Sequence, residues 1–429
     1  MVSINISIDG CTGSIDCGTG MTGLQGPTGL QGTQGLSITG PTGPSGTGSG
    51  GSNHLLFEGF KISYYTFGAR DAWNTTTYSE DGVPFNQGSL NKYNHAWAFR
   101  PQYLTLREDG VYPQVEVLTP TVGDYTPAYL QLYKDNCQEF WIHISNSDYH
   151  GMVNMCADPN GLGLDARQTI KQRVIDWGVK GVDINFESFA EYTSQFVTDF
   201  AAWLLLLKTD LNSVGCKLSY AIVSIPSPSI QSLYNFDYSS FIDSVDYLTV
   251  MMYDIMDWGW GLSNSPTAAI VGGYQKLQGN PNIASTSQYE IDNGPVVEFY
   301  ENGILGKIHS DIGDKMHKII CALPNYGMYN DNTMNNNWAY TNNLGLNRIE
   351  YDVSYNTSIS EGKRTPDGTL RWTADNKYIE YNDGYSLRKR IRAIKNWFDK
   401  YELDNPNNNK PYREICIWYM GSDNHTPFD

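Results

Sequence analysis

From residue 181 to residue 187 the chain reads Gly-Val-Asp-Ile-Asn-Phe-Glu, three polar side chains alternating with three large apolar ones. A period of two is the mark of a β-strand. On a strand, Asp183, Asn185 and Glu187 share one side, and Val182, Ile184 and Phe186 share the other. An amphipathic stretch over residues 166–176 and a turn at Trp177-Gly178 come before it, and a second amphipathic stretch over residues 192–211 follows. Helix, strand, helix, with the apolar side of the strand available to the helices, is the layout of a parallel α/β sheet. The polar side then faces an interior, where an unpaired carboxylate is costly. Three polar residues in a row, closing on a glutamate at the strand's C-terminal end, read as a site. The competing reading is structural: Asp183 and Glu187 as buried partners of an Arg or Lys elsewhere in the chain.

Composition bounds what such a site serves. A chain of 429 residues has room for one large barrel with extensions, and 40% hydrophobic content supplies a sizeable core. A net charge of −17 argues against nucleic acid and against anionic membrane surfaces, and fits a neutral polar ligand such as a glycan. Aromatic content of 13% suits sugar stacking and an ordinary large core equally. The seven cysteines are an odd number. Cys216, Cys321 and Cys416 sit in or beside apolar strand-like runs and read as buried thiols, while a Cys137–Cys156 pairing is left open. No Cys-x-x-Cys and no clustered Cys/His spacing points to zinc, and no cofactor is expected. The start, Met1-Val2-Ser3-Ile4-Asn5, lacks the basic and apolar regions of a secretory signal. Apolar runs such as residues 201–207 are too short to span a membrane.

Residues 1–53 have a different character. Glycine recurs at Gly20, Gly23, Gly26, Gly29, Gly32 and Gly35, then resumes at Gly40, Gly43 and Gly46. Only glycine fits the axis of a collagen triple helix, so the period has a mechanism. A flexible Gly/Thr linker is the alternative. The division expected is a collagen-like or disordered arm over 1–53, its Gly/Ser linker ending at Ser52, and a folded domain over 54–429. Strands are expected at 57–66, 94–99, 139–145, 181–187, 217–224, 247–254, 318–323 and 414–419. Insertions are expected at 257–317 and 328–385, and a basic amphipathic helix at 386–401.

The 181–187 stretch resembles the signature of family 18 glycoside hydrolases, Asp-x-x-Asp-x-Asp-x-Glu on the fourth strand of a (β/α)8 barrel. Asp183 matches the second Asp and Glu187 the catalytic Glu, whereas Lys180 and Asn185 stand where the first and third Asp would be. Three further motifs follow in order. Met251-Met252-Tyr253-Asp254 resembles the family's Met-x-Tyr-Asp after strand six. Leu323-Pro324-Asn325-Tyr326-Gly327 resembles its Leu-Pro-x-Tyr-Gly after strand seven. Trp418 resembles the Trp at the end of strand eight. Ser63-Tyr64-Tyr65 resembles the Gly-Tyr closing strand one. The likeness spans roughly residues 55–425.

The resemblance implies a TIM barrel with insertions after strands 6 and 7. It also implies retaining, substrate-assisted hydrolysis of β-1,4 linkages in N-acetylglucosamine-containing glycans, either chitin-like or the chitobiose core of N-glycans. In that scheme the substrate's acetamido oxygen attacks the anomeric carbon, and one Glu serves as acid and then as base. By carry-over Glu187 is that acid/base, and Asp183 supports the polar ladder. Tyr253 donates to the acetamido oxygen, Asp254 orients the group, and Trp418, Tyr326 and Tyr64 present sugar-facing rings. Asn185 accepts through its side-chain oxygen but carries no charge, and losing one charge-stabilising group costs on the order of 10²–10³ in rate. Asn two residues before the catalytic Glu also resembles family 85 endo-β-N-acetylglucosaminidases. Asn185 thus admits a working enzyme or a weakened, lectin-like barrel. The collagen-like arm implies a homotrimer. A surface-type arm without a secretory signal implies assembly on a virion or spore, or extracellular placement by another route.

Overall fold

The computed structural model describes residues 4–8, 11–15, 56–66, 93, 95–109, 112–117, 131, 133–146, 149–158, 161–187, 189–225, 234–253, 303–324, 327–331, 338–340, 370–374, 377–381 and 384–418. The chain divides into two compact units, Met1–Gly51 and Ser52–Asp429. In the first, β1 (Ile4–Ile8) and β2 (Cys11–Ile15) pair antiparallel, with Ile8 opposite Cys11. The dipeptide between them in sequence is Asp-Gly, which two-residue hairpin loops favour. The Gly-x-y tract lies outside the described residues.

The second unit is a closed eight-stranded parallel barrel. Its strands are β3 (Lys61–Thr66), β4 (Ala98–Asp109), β6 (Glu139–Asn146), β7 (Gly181–Phe186), β8 (Lys217–Val223), β9 (Tyr247–Met251), β10 (Ile319–Pro324) and β15 (Glu414–Trp418). They run in the order β3-β15-β10-β9-β8-β7-β6-β4, and a β3–β4 pairing closes the ring. Each expected strand is present, with ends shifted by a few residues. The second differs most. It begins at Ala98 rather than Asn94 and runs on to Asp109, where β5 (Tyr112–Val117) folds back on it antiparallel. Within the insertion after β10 the described part is a four-stranded antiparallel sheet of β11 (Gly327–Asp331), β12 (Trp338–Tyr340), β13 (Leu370–Ala374) and β14 (Lys377–Tyr381), ordered β12-β11-β14-β13. Within the other insertion the described part is a helix, Gly303–Ile312, followed by a 3-10 segment.

The helices flanking β7 show how local sequence places the central strand. Helix α1 (Tyr149–Ala157) leads to α2 (Leu162–Trp177), whose first turn is secured by the Asp158 side chain accepting from the Gly163 N–H at 2.7 Å. Helix α2 stops at Gly178, which adopts φ 61° and returns its N–H to the last carbonyls. Glycine takes that left-handed conformation without a Cβ clash. Helix α3 (Ser194–Asn212) starts at Thr193, whose hydroxyl accepts from the Phe196 N–H at 3.1 Å; such a cap is worth about 1 kcal/mol.

Between them, β7 is buried along its whole length. Phe186 stacks on Phe200 and Trp203 of α3 at 5.6 and 6.3 Å between ring centres. Each such side chain contributes about 1.5–3 kcal/mol by leaving water. On the inner side, a Cβ at Gly181 would lie 2.1 Å from the Trp141 indole, so only glycine lets that ring fill the barrel. Among the described residues no helix is long and apolar enough to cross a membrane. The described cysteines Cys137, Cys156, Cys216, Cys321 and Cys416 are free thiols, including both members of the pair left open above.

Candidate active site

In this architecture functional groups gather at the C-terminal ends of the strands. Register fixes which side chains of β7 share a layer with its neighbours: Gly181 lies beside Trp141, Asp183 beside His143 and Ser219, and Asn185 beside Ser145. The inward row of Asp183, Asn185 and Glu187 thus climbs from the middle of the barrel to its mouth.

At the mouth, Asn185 Nδ2 donates to Glu187 Oε1 at 2.6 Å. Asn185 is 3% exposed, and its Oδ1 has no hydrogen-bond partner among the described residues. A buried acceptor left unsatisfied costs about 1–3 kcal/mol, so Oδ1 is suited to taking an N–H or O–H. Glu187 itself is half-buried.

One layer down, Asp183 is fully buried and its carboxylate is saturated. Oδ2 accepts from the Tyr65 hydroxyl at 2.7 Å and from His143 Nδ1 at 3.0 Å. Oδ1 accepts from Arg100 Nη1 and from the Thr249 hydroxyl, both at 3.4 Å. Thr249 is in turn 2.7 Å from the Ser219 hydroxyl. Burial alone would raise the Asp183 carboxyl. The hydrogen bond and electrostatic pull of His143, the Arg100 charge and the Tyr65 hydroxyl outweigh burial and hold it below the ordinary carboxylate range. Arg100 also donates through Nη2 to Glu414 Oε1 at 2.6 Å, an oxygen that accepts from Ser63 at 2.6 Å as well. The guanidinium carbon lies 4.3 Å from the centre of the Trp141 ring. Burial opposes the Arg100 charge, and the facing Glu414 and Asp183 more than restore it.

Above this network is an aromatic cluster. Tyr65 meets Trp418 edge-on at 4.9 Å and His143 at 5.0 Å. Tyr253 lies nearly parallel to Trp418, with ring centres 6.1 Å apart. Trp418 and Tyr253 therefore belong to the same constellation as Asp183, linked through Tyr65 and His143.

Tyr64 lies elsewhere. It is fully buried on the helix-facing side of β3, 2.6 Å from His95 Nε2 and edge-on to Tyr93 at 5.0 Å. Strand alternation explains the correction, because Ser63 and Tyr65 point into the barrel and Tyr64 must point out. The structural reading weighed for Asp183, a buried ion pair, is present with Arg100; for Glu187 the described partner is Asn185. Lys180 is exposed just before β7, at the opposite end of the strand from Glu187. Asp254 and Tyr326 lie outside the described residues.

Sequence reasoning missed Tyr65, Arg100, His143, Thr249 and Glu414. The phase of β3 carried a signal for Tyr65. A charged residue opening the otherwise apolar run of β15 carried one for Glu414. Among the described residues no cluster of His, Cys, Asp and Glu is placed to hold a metal ion.

Fold and site together define a (β/α)8 barrel with a carboxylate-centred polar interior below the C-terminal ends of its strands. Solved structures share that fold. A Group IV chitinase from Ostrinia furnacalis superposes with a TM-score of 0.59 at 14% identity, covering 85% of this chain and 94% of that one. The spore cortex-lytic enzyme SleL of Bacillus cereus gives 0.52 at 15%, covering 85% and 71%. A class V chitinase from Nicotiana tobaccum, solved in complex with NAG4, gives 0.54 at 12%, covering 85% and 95%. At these identities the likeness is one of fold. No protein-family model matches the chain, and no curated protein sequence does.

Proposed function

We propose that the protein is a family 18-type glycoside hydrolase that cleaves β-1,4 linkages in N-acetylglucosamine-containing glycans with assistance from the substrate's own acetamido group. The observation that carries this reading is the Asn185–Glu187 pair, one amide face committed to the carboxyl and the other an unfilled acceptor. An acetamido N–H is the donor that Oδ1 would take. Held there, the acetamido oxygen attacks the anomeric carbon as the bond to the leaving oxygen breaks, and Glu187 gives that oxygen its proton. Water then attacks the same carbon, Glu187 takes the water's proton, and the acetamido group is released unchanged. Tyr253 donates to the acetamido oxygen, Asp254 orients that group or the pocket, and Trp418 and Tyr326 supply sugar-facing surface. Chitinases of the same fold, one of them holding an N-acetylglucosamine oligomer, support the substrate class.

Glu187→Gln is expected to abolish release of the fluorophore from a fluorogenic chitobioside. A wild type equally silent on chitobiosides and N-glycans would remove the claim of turnover. Asn185 favours one alternative, a barrel that binds such glycans without cleaving them, because a neutral amide offers less to a developing positive charge. Saturable binding of N-acetylglucosamine oligomers with no product would establish it.

A further inference from the structure

The proposed chemistry leaves a deficit. Positive charge grows at the anomeric carbon and on the acetamido group, and Asn185 has no charge to set against it. The next charge on the same face is Asp183, two residues back and about 6–7 Å along the strand. Whether that charge is available depends on Arg100, which touches two carboxylates unequally. Nη2 is 2.6 Å from Glu414, whereas Nη1 is 3.4 Å from Asp183. Ser63 fixes Glu414 with a second hydrogen bond at 2.6 Å. One guanidinium thus serves two carboxylates, and it leans toward Glu414.

Apart from His143, the remaining groups around Asp183 are neutral. Thr249 donates as a neutral hydroxyl. Burial pushes the Tyr65 phenol and the Cys416 thiol up, so both stay uncharged. Tyr253 and Trp418 contribute uncharged rings. His143 points Nδ1 at Asp183 at 3.0 Å, while its buried Nε2 has no hydrogen-bond partner among the described residues.

We propose that Glu414 is a positioning residue for the site: by holding Arg100 close it keeps the guanidinium from fully neutralising Asp183, and Asp183 supplies negative charge that Asn185 lacks. This rests on the glycosidase reading, and the test separates the two. Glu414→Gln keeps the acceptor for Ser63 but frees Arg100 to turn to Asp183. Two probes are titrated against wild type and variant: a protonated imino sugar of N-acetylglucosamine configuration, and neutral tri-N-acetylchitotriose. A unit charge quenched about 7 Å away at an effective dielectric near 20 corresponds to roughly 10- to 50-fold. Affinity for the cation, and kcat, are expected to fall by that factor, with neutral-ligand affinity and KM little changed. Glu414→Asp restores the cation's affinity. Asp183→Asn removes the same charge from the other side of Arg100 and repeats the selective loss, so the test does not hang on one variant folding. Equal loss for both probes, or no loss, overturns the inference alone. A wild type that binds neither probe overturns the glycosidase reading and the inference with it.

Discussion

Asn185→Asp tests the geometry of the site without requiring turnover. In the native chain the Asn185 amide donates to the Glu187 carboxyl at 2.6 Å inside a nearly closed environment. The substitution preserves shape but replaces the donor with a second carboxylate. Two carboxylates at that separation cannot both ionise and must share a proton, so the pair's upper apparent value rises. A rise of two to three units is worth about 3–4 kcal/mol at 1.36 kcal/mol per unit. The sign follows from linkage. An acid whose folded value is raised contributes least above that value, so the variant is penalised at pH 8 and nearly native near pH 4.5, where the shared proton is present. For a barrel of this size the penalty at pH 8 corresponds to a loss of roughly 5–10 °C in Tm. Differential scanning fluorimetry of wild type and variant at the two pH values reads it. A Tm difference that is the same at both would refute the contact between residues 185 and 187.

Two further outcomes follow from the same interior. Gly181→Ala drives a methyl to 2.1 Å from the Trp141 indole, the ring that also meets Arg100, and is expected to cost about 1–3 kcal/mol in urea unfolding; an unchanged midpoint would mean that the indole does not fill the barrel there. Asp183, held below the ordinary carboxylate range, contributes stability that is complete above pH about 4 and is lost as pH falls through its depressed folded value. Acid unfolding should therefore be shallower in Asp183→Asn than in wild type, and equal acid slopes would contradict the assigned ion pair.

The barrel was legible because its signals are local. Alternation at 181–187, apolar runs bounded by turns, and glycine at 178 each declare an element within a few residues. What local pattern misjudged was phase and extent. Tyr64 and Tyr65 are chemically alike, and only the pairing of β3 between β15 and β4 sets which one turns inward. The hairpin extending β4 and the one in the first unit went unforeseen, although Asp-Gly between two alternating runs was a readable cue for the latter.

By itself the chain determines a parallel barrel, a polar row ending at Glu187, and the neutral Asn185 within it, because strand period and residue identity are properties of adjacent residues. Tertiary structure alone decided that Asp183 is ringed by donors from four other strands and that Arg100 leans toward Glu414. Those partners come from positions 63 to 414, and barrel closure brings them within hydrogen-bonding distance. No spacing along the chain encodes a difference between 2.6 and 3.4 Å.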